Sequence, residues 1–351
     1  MAEVPLERVA EAMDHLVRVP IANWAIIKGL PLDKLYDSAR VHAGAPLSLA
    51  AGKLLLESCQ PGRPVLMLSG FIIKDFMRPE TDGPIGAAAL GRAIALGTGA
   101  TPIGICEKVC LPAYDAVFRA SGLVPAEMSS WHRGRNRYVV LPFTLDGDKA
   151  MEDATRLLDD AEPSAVIAVE RPGGNRVGVY HGGGGFDISP WTAKTDAIFS
   201  LARERGIPTI GIGDLGNELG MGTIADTVRA HVEYGARCEC PCGAGIAAAE
   251  SSDVAVIANV SNWGAYAIAA WMAAALGNDE IFHTPELELR LIDECVRGGA
   301  IDPVGGQLRS YVDGTSAATN AAIVELLAGI VRLATTDAPE LSRYRDSWVD
   351  R

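Results

Sequence analysis

The chain opens on apolar residues that share one helical face. Leu6, Val9, Met13, Leu16 and Val17 fall at that spacing, and Leu47 to Ser58 repeats the pattern, so the first sixty or so residues predict amphipathic helices. The middle of this segment, residues 21–44, is less regular, and Gly44, Pro46 and Pro61-Gly62 break it. From residue 64 the texture changes. PVLMLSGFII, TPIGICEK, YVVLPF, AVIAVERP, RVGVYH, IPTIGIGD and SDVAVIANVS are short apolar runs of strand length. Between them lie helical stretches such as IGAAALGRAIAL, AYDAVFRASG, DKAMEDATRLLDDA and KTDAIFSLARERG. The helical WGAYAIAAWMAAAL, PELELRLIDECVRGG and an Ala-rich stretch from Ala317 to Leu333 follow the last run. Uninterrupted apolar runs suit strands buried on both faces better than alternating, half-exposed ones. Strands alternating with helices predict an α/β fold: a doubly wound, mostly parallel, Rossmann-like sheet with a helical N-terminal segment. The boundaries expected are residues 1–62 for that segment, 63–335 for the α/β domain and 336–351 for a tail.

In open parallel sheets ligands bind beyond the carboxyl ends of the strands. The first run is followed by Glu80-Thr81-Asp82-Gly83-Pro84, the second by Glu107-Lys108 and the fourth by Glu170-Arg171. IPTIGIGD leads into Asp214, Asn217 and Glu218, and the last run into Asn259, Ser261 and Asn262. Carboxylates therefore gather at one rim. Asp82 can cap a helix starting at Pro84. Glu80 has no such use, and two carboxylates on one short turn suit a divalent cation. Lys108 and Arg171 either hold substrate carboxylates or pair with the acids beside them. Asn262 either orients a ligand, with Trp263 as a wall, or caps a helix.

The stretch GIGDLGNELGMG carries glycines at Gly211, Gly213 and Gly216 in dinucleotide-fingerprint spacing. The match begins inside the apolar run, however, and Asp214 and Glu218 would set negative charge beside a phosphate. No Gly-Lys-Ser/Thr follows, so no nucleotide is expected. Two readings remain: a tight turn, or a carboxylate site for a cation or a substrate ammonium, with Gly213 and Gly216 allowing close approach of backbone to ligand. HGGGGFD, from His181 to Asp187, is a second glycine loop, suited to a lid or an anion pocket; His181 is either a base or a bystander.

Composition narrows the partners. The 351 residues carry a net charge of -13 and no Lys/Arg block, which disfavours nucleic acid. No run of about 18 uninterrupted apolar residues suggests a membrane span. The amphipathic, charged N-terminus is unlike a secretory leader, and seven cysteines is an odd number, so a reducing cytoplasm is expected. Cys238, Cys240 and Cys242 lack the spacing of a zinc motif and are expected to be ordinary thiols. The alanine-rich segments Ala265–Leu276 and Ala317–Leu333 offer faces for the core or for a second copy of the chain. No serine-nucleophile elbow or HExxH motif occurs.

ETDGPIGAAALGRAI, IGIGDLGNELGMG and VSNWGAYAI, in this order, resemble the hallmark segments of the D-glutamate cyclase family, and the resemblance runs from about residue 5 to 333. It implies reversible cyclisation of D-glutamate to 5-oxo-D-proline with loss of water, a carbon–oxygen hydro-lyase reaction on a small acidic amino acid. The family motif usually reads GDGGNE; Leu215 replaces its second glycine here, which would narrow the pocket and allow a related substrate. On this reading Glu80, Asp82, Asp214 and Glu218 bind a divalent metal such as Mg2+ or Mn2+. Asp214, Glu218 and Lys108 carry the catalysis, with Glu218 as the alternative proton shuttle. Arg171 grips substrate carboxylates beside Lys108, and Asn217 and Asn262 orient the ammonium or lactam. Two other readings stand beside it: a hydrolase of 5-oxoproline-like rings, and a non-catalytic protein that binds an acidic amino acid or a nucleotide.

Overall fold

The computed structural model describes residues 5–21 and 29–335; the expected tail, 336–351, lies outside them. Seven strands form one sheet: β1 (Pro64–Ser69), β4 (Thr101–Cys106), β5 (Val124–Pro125), β6 (Arg137–Pro142), β7 (Ala165–Val169), β8 (Thr209–Gly213) and β9 (Val254–Ile257). Two short ribbons lie outside it, β2 (Ile72–Ile73) with β3 (Arg78–Pro79) and β10 (Tyr311–Val312) with β11 (Thr315–Ser316). The sheet order is β5-β6-β4-β1-β7-β8-β9, and every pair in it is parallel. The α/β, doubly wound reading holds.

Side chains alternate across each strand, and β1, β4, β7, β8 and β9 are buried on both faces. On β1, Val65 and Met67 face the larger core, whereas Leu66 and Leu68 face a second core with Ile103, Ile105 and Val166. The helices Gly147–Ala161 and Asp196–Glu204 cover the second face through Ala154, Leu158, Ile198 and Phe199. The helices Pro84–Thr98 and Ser261–Leu276 cover the first and pack on each other. Both are apolar nearly all round, as interior helices must be.

The N-terminal helices Leu6–Val17, Leu32–Ala43 and Leu47–Ser58 extend the first layer and touch β9 and the helix Ser261–Leu276. Buried Asp14 ties them together. Its carboxylate accepts from the Tyr36 hydroxyl (2.7 Å) and from the backbone N–H groups of Leu47 and Ser48 (2.6 and 3.1 Å), capping the third helix. RVGVYH, read as a strand, joins no sheet; it lies in the loop between β7 and the next helix and makes only isolated bridges such as Gly174–Tyr180.

The helix Ala317–Thr335 is the one described helix long and apolar enough to cross a membrane. Its Ile323, Val324, Leu327 and Val331 are buried in the core, while Leu326 and Leu333 are exposed.

Candidate functional site

After β1 the chain turns to β4 on one side, and β7 later pairs with β1 on the other. The strand order reverses there, and the loops beyond β1 and β7 diverge around a crevice. Glu80 and Asp82 enter it from the loop after β1 and the β2–β3 ribbon, Glu170 from the end of β7, and Asp214 and Glu218 from the end of β8. A sixth carboxylate, Asp313, comes from the β10–β11 hairpin, which docks where the Thr81 hydroxyl donates to the Tyr311 carbonyl (2.8 Å). Glu80, Asp82, Asp214 and Glu218, expected together, are together. Glu170, placed at the rim by the sequence but not in the cluster, belongs to it, and Asp313 was missed.

The glycine turn after β8 has an occupant of its own. The Glu218 carboxylate accepts from the backbone N–H groups of Asp214 (3.2 Å), Leu215 (2.9 Å) and Gly216 (2.6 Å). The N–H groups a phosphate would need are thus taken by a carboxylate from the same loop. Two glycines make this possible. A Cβ at Gly213 would stand 2.6 Å from a Glu218 carboxylate oxygen, and Gly216 has φ +106°. Leu215 leans away towards the tetraglycine loop, its Cδ2 2.8 Å from where a Cβ on Gly183 would be. Asn217 is buried and ties the two loops, its amide donating to the His181 carbonyl (2.9 Å). Its own Oδ1 is buried without a hydrogen-bond partner.

Asp82 does not cap the helix that follows it. Its carboxylate accepts from the N–H groups of Ser261 and Asn262 (both 2.8 Å), the start of the helix Ser261–Leu276. In return Asn262 Oδ1 accepts from Gly83 and Gly86 (2.9 and 2.6 Å), the start of the helix Pro84–Thr98. Each helix caps the other, which fixes the two loops to one another. Asn262 Nδ2 donates to the Thr81 carbonyl, so this amide is committed to scaffold rather than to a ligand.

Arg171 is committed as well. Its guanidinium is fully buried and pairs with both oxygens of Glu107 (2.7 and 2.8 Å). Its remaining donors reach the Gly70 and Ala193 carbonyls and the Thr195 hydroxyl. No donor is left for a substrate carboxylate. Lys108 is exposed while its neighbour Glu107 is buried, so it does not enter the buried cluster. The expected cationic clamp is therefore absent from this arrangement.

Burial is the largest influence on the acids, and mutual repulsion adds to it. Both hold Glu80, Glu170, Asp214 and Asp313 well above the ordinary carboxyl range. Asp82, buried but bonded to three backbone N–H groups, rises only to about 6. Asp82 and Asp313 lie close together, and the repulsion from Asp82 adds to the burial that raises Asp313. Glu170 accepts from the Ser261 hydroxyl at 2.5 Å. Glu170, at the end of β7, sits in left-handed backbone with φ 43°, whereas the φ of 48° at Asp313 is what its two-residue hairpin turn with Gly314 requires. Asp214 is the partly exposed member, so solvent reaches the cluster there. Oxygens of Asp82, Asp214 and Asp313 lie within 4.8 Å of one another, as do those of Glu170, Asp214 and Glu218. An oxygen-only donor set of this kind fits a hard divalent ion.

Human mitochondrial D-glutamate cyclase is 30% identical over 286 residues, a match covering 75% of this chain. The match covers 42% of the human protein, so the chain spans less than half the length of that relative. Residues 34–328 match the family described as D-glutamate cyclase-like, C-terminal. That match includes all six clustered acids, and the chain belongs to the D-glutamate cyclase-like family.

Proposed function

We propose that the carboxylate cluster is the active site of a hydro-lyase that reversibly cyclises D-glutamate, or a closely related amino acid, to 5-oxo-D-proline. The supporting observation is that five buried acids and the partly exposed Asp214 meet at the sheet's switch point, with other carboxylates prominent among the groups acting on them. In the reaction the α-nitrogen bonds to the carbon of the side-chain carboxylate, and one C–O bond of that carboxylate breaks. The departing oxygen leaves as water with the two protons the ammonium gives up, so atoms and charge balance.

Three tasks follow. The ammonium must be recognised and deprotonated, and Asp214, the accessible carboxylate, suits that task. The leaving oxygen must be protonated, and an acid kept neutral by burial, such as Glu80, suits that. The substrate must be held folded so that nitrogen and side-chain carboxylate carbon meet, which orientation between the surrounding loops would supply. Asp82, Asp214 and Asp313, with Glu170 and Glu218 beside Asp214, would hold a divalent ion such as Mg2+ or Mn2+, which would neutralise the side-chain carboxylate and make its carbon electrophilic.

Proton NMR of chelated and of Mg2+- or Mn2+-loaded protein, started separately from D-glutamate and from 5-oxo-D-proline, tests the reading. Both reactions are expected to approach one equilibrium, with L-glutamate as a control. Asp214→Asn is expected to slow them about 10²–10⁴-fold while the protein stays folded. No conversion from either side would sink the reaction; full activity in Asp214→Asn would sink the site. Opening of other lactam rings without 5-oxoproline would keep the site and change the substrate.

A further inference from the structure

We propose that Cys238, Cys240, Cys242 and His181 form a structural zinc site outside the carboxylate cluster. The three cysteines alternate along CECPC, and the fourth ligand comes from the tetraglycine loop. Cys238 Sγ lies 3.5 Å from Cys240 Sγ and 3.3 Å from Cys242 Sγ. His181 Nε2 lies 3.2 Å from Cys240 Sγ and 3.6 Å from Cys242 Sγ. A tetrahedral zinc with Zn–S near 2.3 Å and Zn–N near 2.0–2.1 Å separates its ligands by about 3.5–3.8 Å. These four pairs thus need open by at most a few tenths of an ångström to take the ion, and all four ligand atoms lie within 4.8 Å of one another. The sulfurs are too far apart for a disulfide, whose S–S bond is about 2.05 Å.

Two further observations point to a ligand there. Cys242 Sγ receives the Asn175 amide and the Ala244 N–H, both at 3.5 Å, the kind of second-layer donation that steadies a metal-bound thiolate. Asn175 Nδ2 also donates to the Gly245 carbonyl at 2.7 Å, fixing its orientation. From Val232 to Asp253 the chain forms no helix or strand. Loops longer than about 12–15 residues without secondary structure are uncommon in compact domains. Yet Val232, Cys238, Ala244, Ile246, Ala247 and Ala248 in this segment are buried. A metal staple accounts for a buried segment with so little regular hydrogen bonding. Soft sulfur and imidazole donors select zinc over the Mg2+ or Mn2+ that oxygen ligands favour. Four protein ligands leave no open position, which makes the site structural rather than catalytic.

The staple would also shape the crevice. It anchors His181, whose carbonyl holds Asn217, and the Gly185 carbonyl accepts from the N–H groups of Glu239 and Cys240. The glycine loop that packs on Leu215 is thereby fixed to the loop carrying Glu218.

Metal counting by mass spectrometry on the full chain, purified with reductant and dialysed against a mild chelator, gives the first test. About one zinc per chain is expected, and Cys238→Ser with Cys242→Ser should lower it to below about a tenth. Because that variant could misfold, wild-type protein loaded with Co2+ provides a second measurement. A thiolate-to-cobalt charge-transfer band with intense tetrahedral d–d bands is expected, and an Asp82→Asn/Asp214→Asn variant should retain both. Zinc-free protein that gives no such band would overturn the proposal. So would zinc that survives loss of the cysteines but leaves with Asp214, or a Cys238–Cys242 disulfide in the reduced preparation.

Discussion

Replacing Glu218 with Ala should empty a nest of three backbone N–H groups and make an anion site where the native protein has none. Each hydrogen bond to a charged acceptor contributes about 1.5–3 kcal/mol net. The three here are at 3.2, 2.9 and 2.6 Å, and water can enter the space the side chain leaves. A total loss of about 3 kcal/mol is therefore expected, not the full sum. Relief of repulsion works in the opposite direction, but it is the smaller effect, because neighbouring Glu170 and Asp214 are driven towards their neutral forms. At about 2.1 cal/mol/K per residue, the 351 residues give an unfolding entropy near 0.7 kcal/mol/K, so Tm should fall by about 4 °C. Calorimetry on chelated protein at neutral pH measures this directly. Formate or phosphate at ten times its Kd should restore about 1.4 kcal/mol, or about 2 °C, to Glu218→Ala and nothing to the native protein. An unchanged Tm in the variant, or equal stabilisation of both proteins by phosphate, would refute the self-filled nest and revive a phosphate cradle.

Arg171→Met should destabilise the fold by about 3–5 kcal/mol by leaving the Glu107 carboxylate buried and unpaired, whereas Lys108→Ala should change stability by less than about 0.5 kcal/mol; urea melts of both variants distinguish scaffold from clamp. Asp82 keeps its proton in the fold up to about pH 6 but loses it near 3.8 when unfolded, so its contribution is greatest in acid and declines as pH rises through that window. Chelated protein should lose up to about 1.4 kcal/mol per pH unit from this group there, Asp82→Asn should flatten the slope, and saturating Mn2+ should reverse it, because the ion needs ionised ligands; denaturant midpoints across the window give the sign. Leu215→Gly should free the face of Gly183 and admit bulkier amino acids, seen as a change in relative kcat/KM among substrates, while a pattern identical to the native one would show that Leu215 does not wall the pocket.

Much of this was legible in the chain, for identifiable reasons. β1, β4, β7, β8 and β9 are buried on both faces, so each appears as an unbroken apolar run. RVGVYH has the same texture but no neighbouring strand to pair with, and Val177 is exposed. The rim rule found the acids after β1 and β8, because it depends on topology alone. It could not assign the cations. Neighbouring residues at a strand end point in different directions, so Arg171 reaches Glu107 from another strand instead of Glu170 beside it, while Lys108 is exposed. Asp313 left one local signal, an Asp-Gly pair between YV and TS, which marks a two-residue hairpin. Where that hairpin docks is decided by contacts such as Thr81 to Tyr311, which no local pattern contains. His181 was hidden from the CECPC motif in the same way: its partners lie along the chain at a distance that spacing rules do not search.

The cluster's surroundings are over-determined in a way that follows from its cost. Five buried acids and the partly exposed Asp214 repel one another here, and a fold can keep them together only if the frame does not yield. The reciprocal caps of Asp82 and Asn262 lock two core helices at their starts, and the Arg171–Glu107 pair pins the ends of β4 and β7. Such a frame prevents the acids from separating to relieve their repulsion, so relief has to come from protons or from an incoming positive charge. On the proposed reading a divalent ion and the substrate ammonium supply that charge. Binding should then stabilise the protein most at a pH above 6, where Asp82 too has lost its proton, and a ligand lacking the amine, such as glutarate, should stabilise it less than D-glutamate at equal saturation of metal.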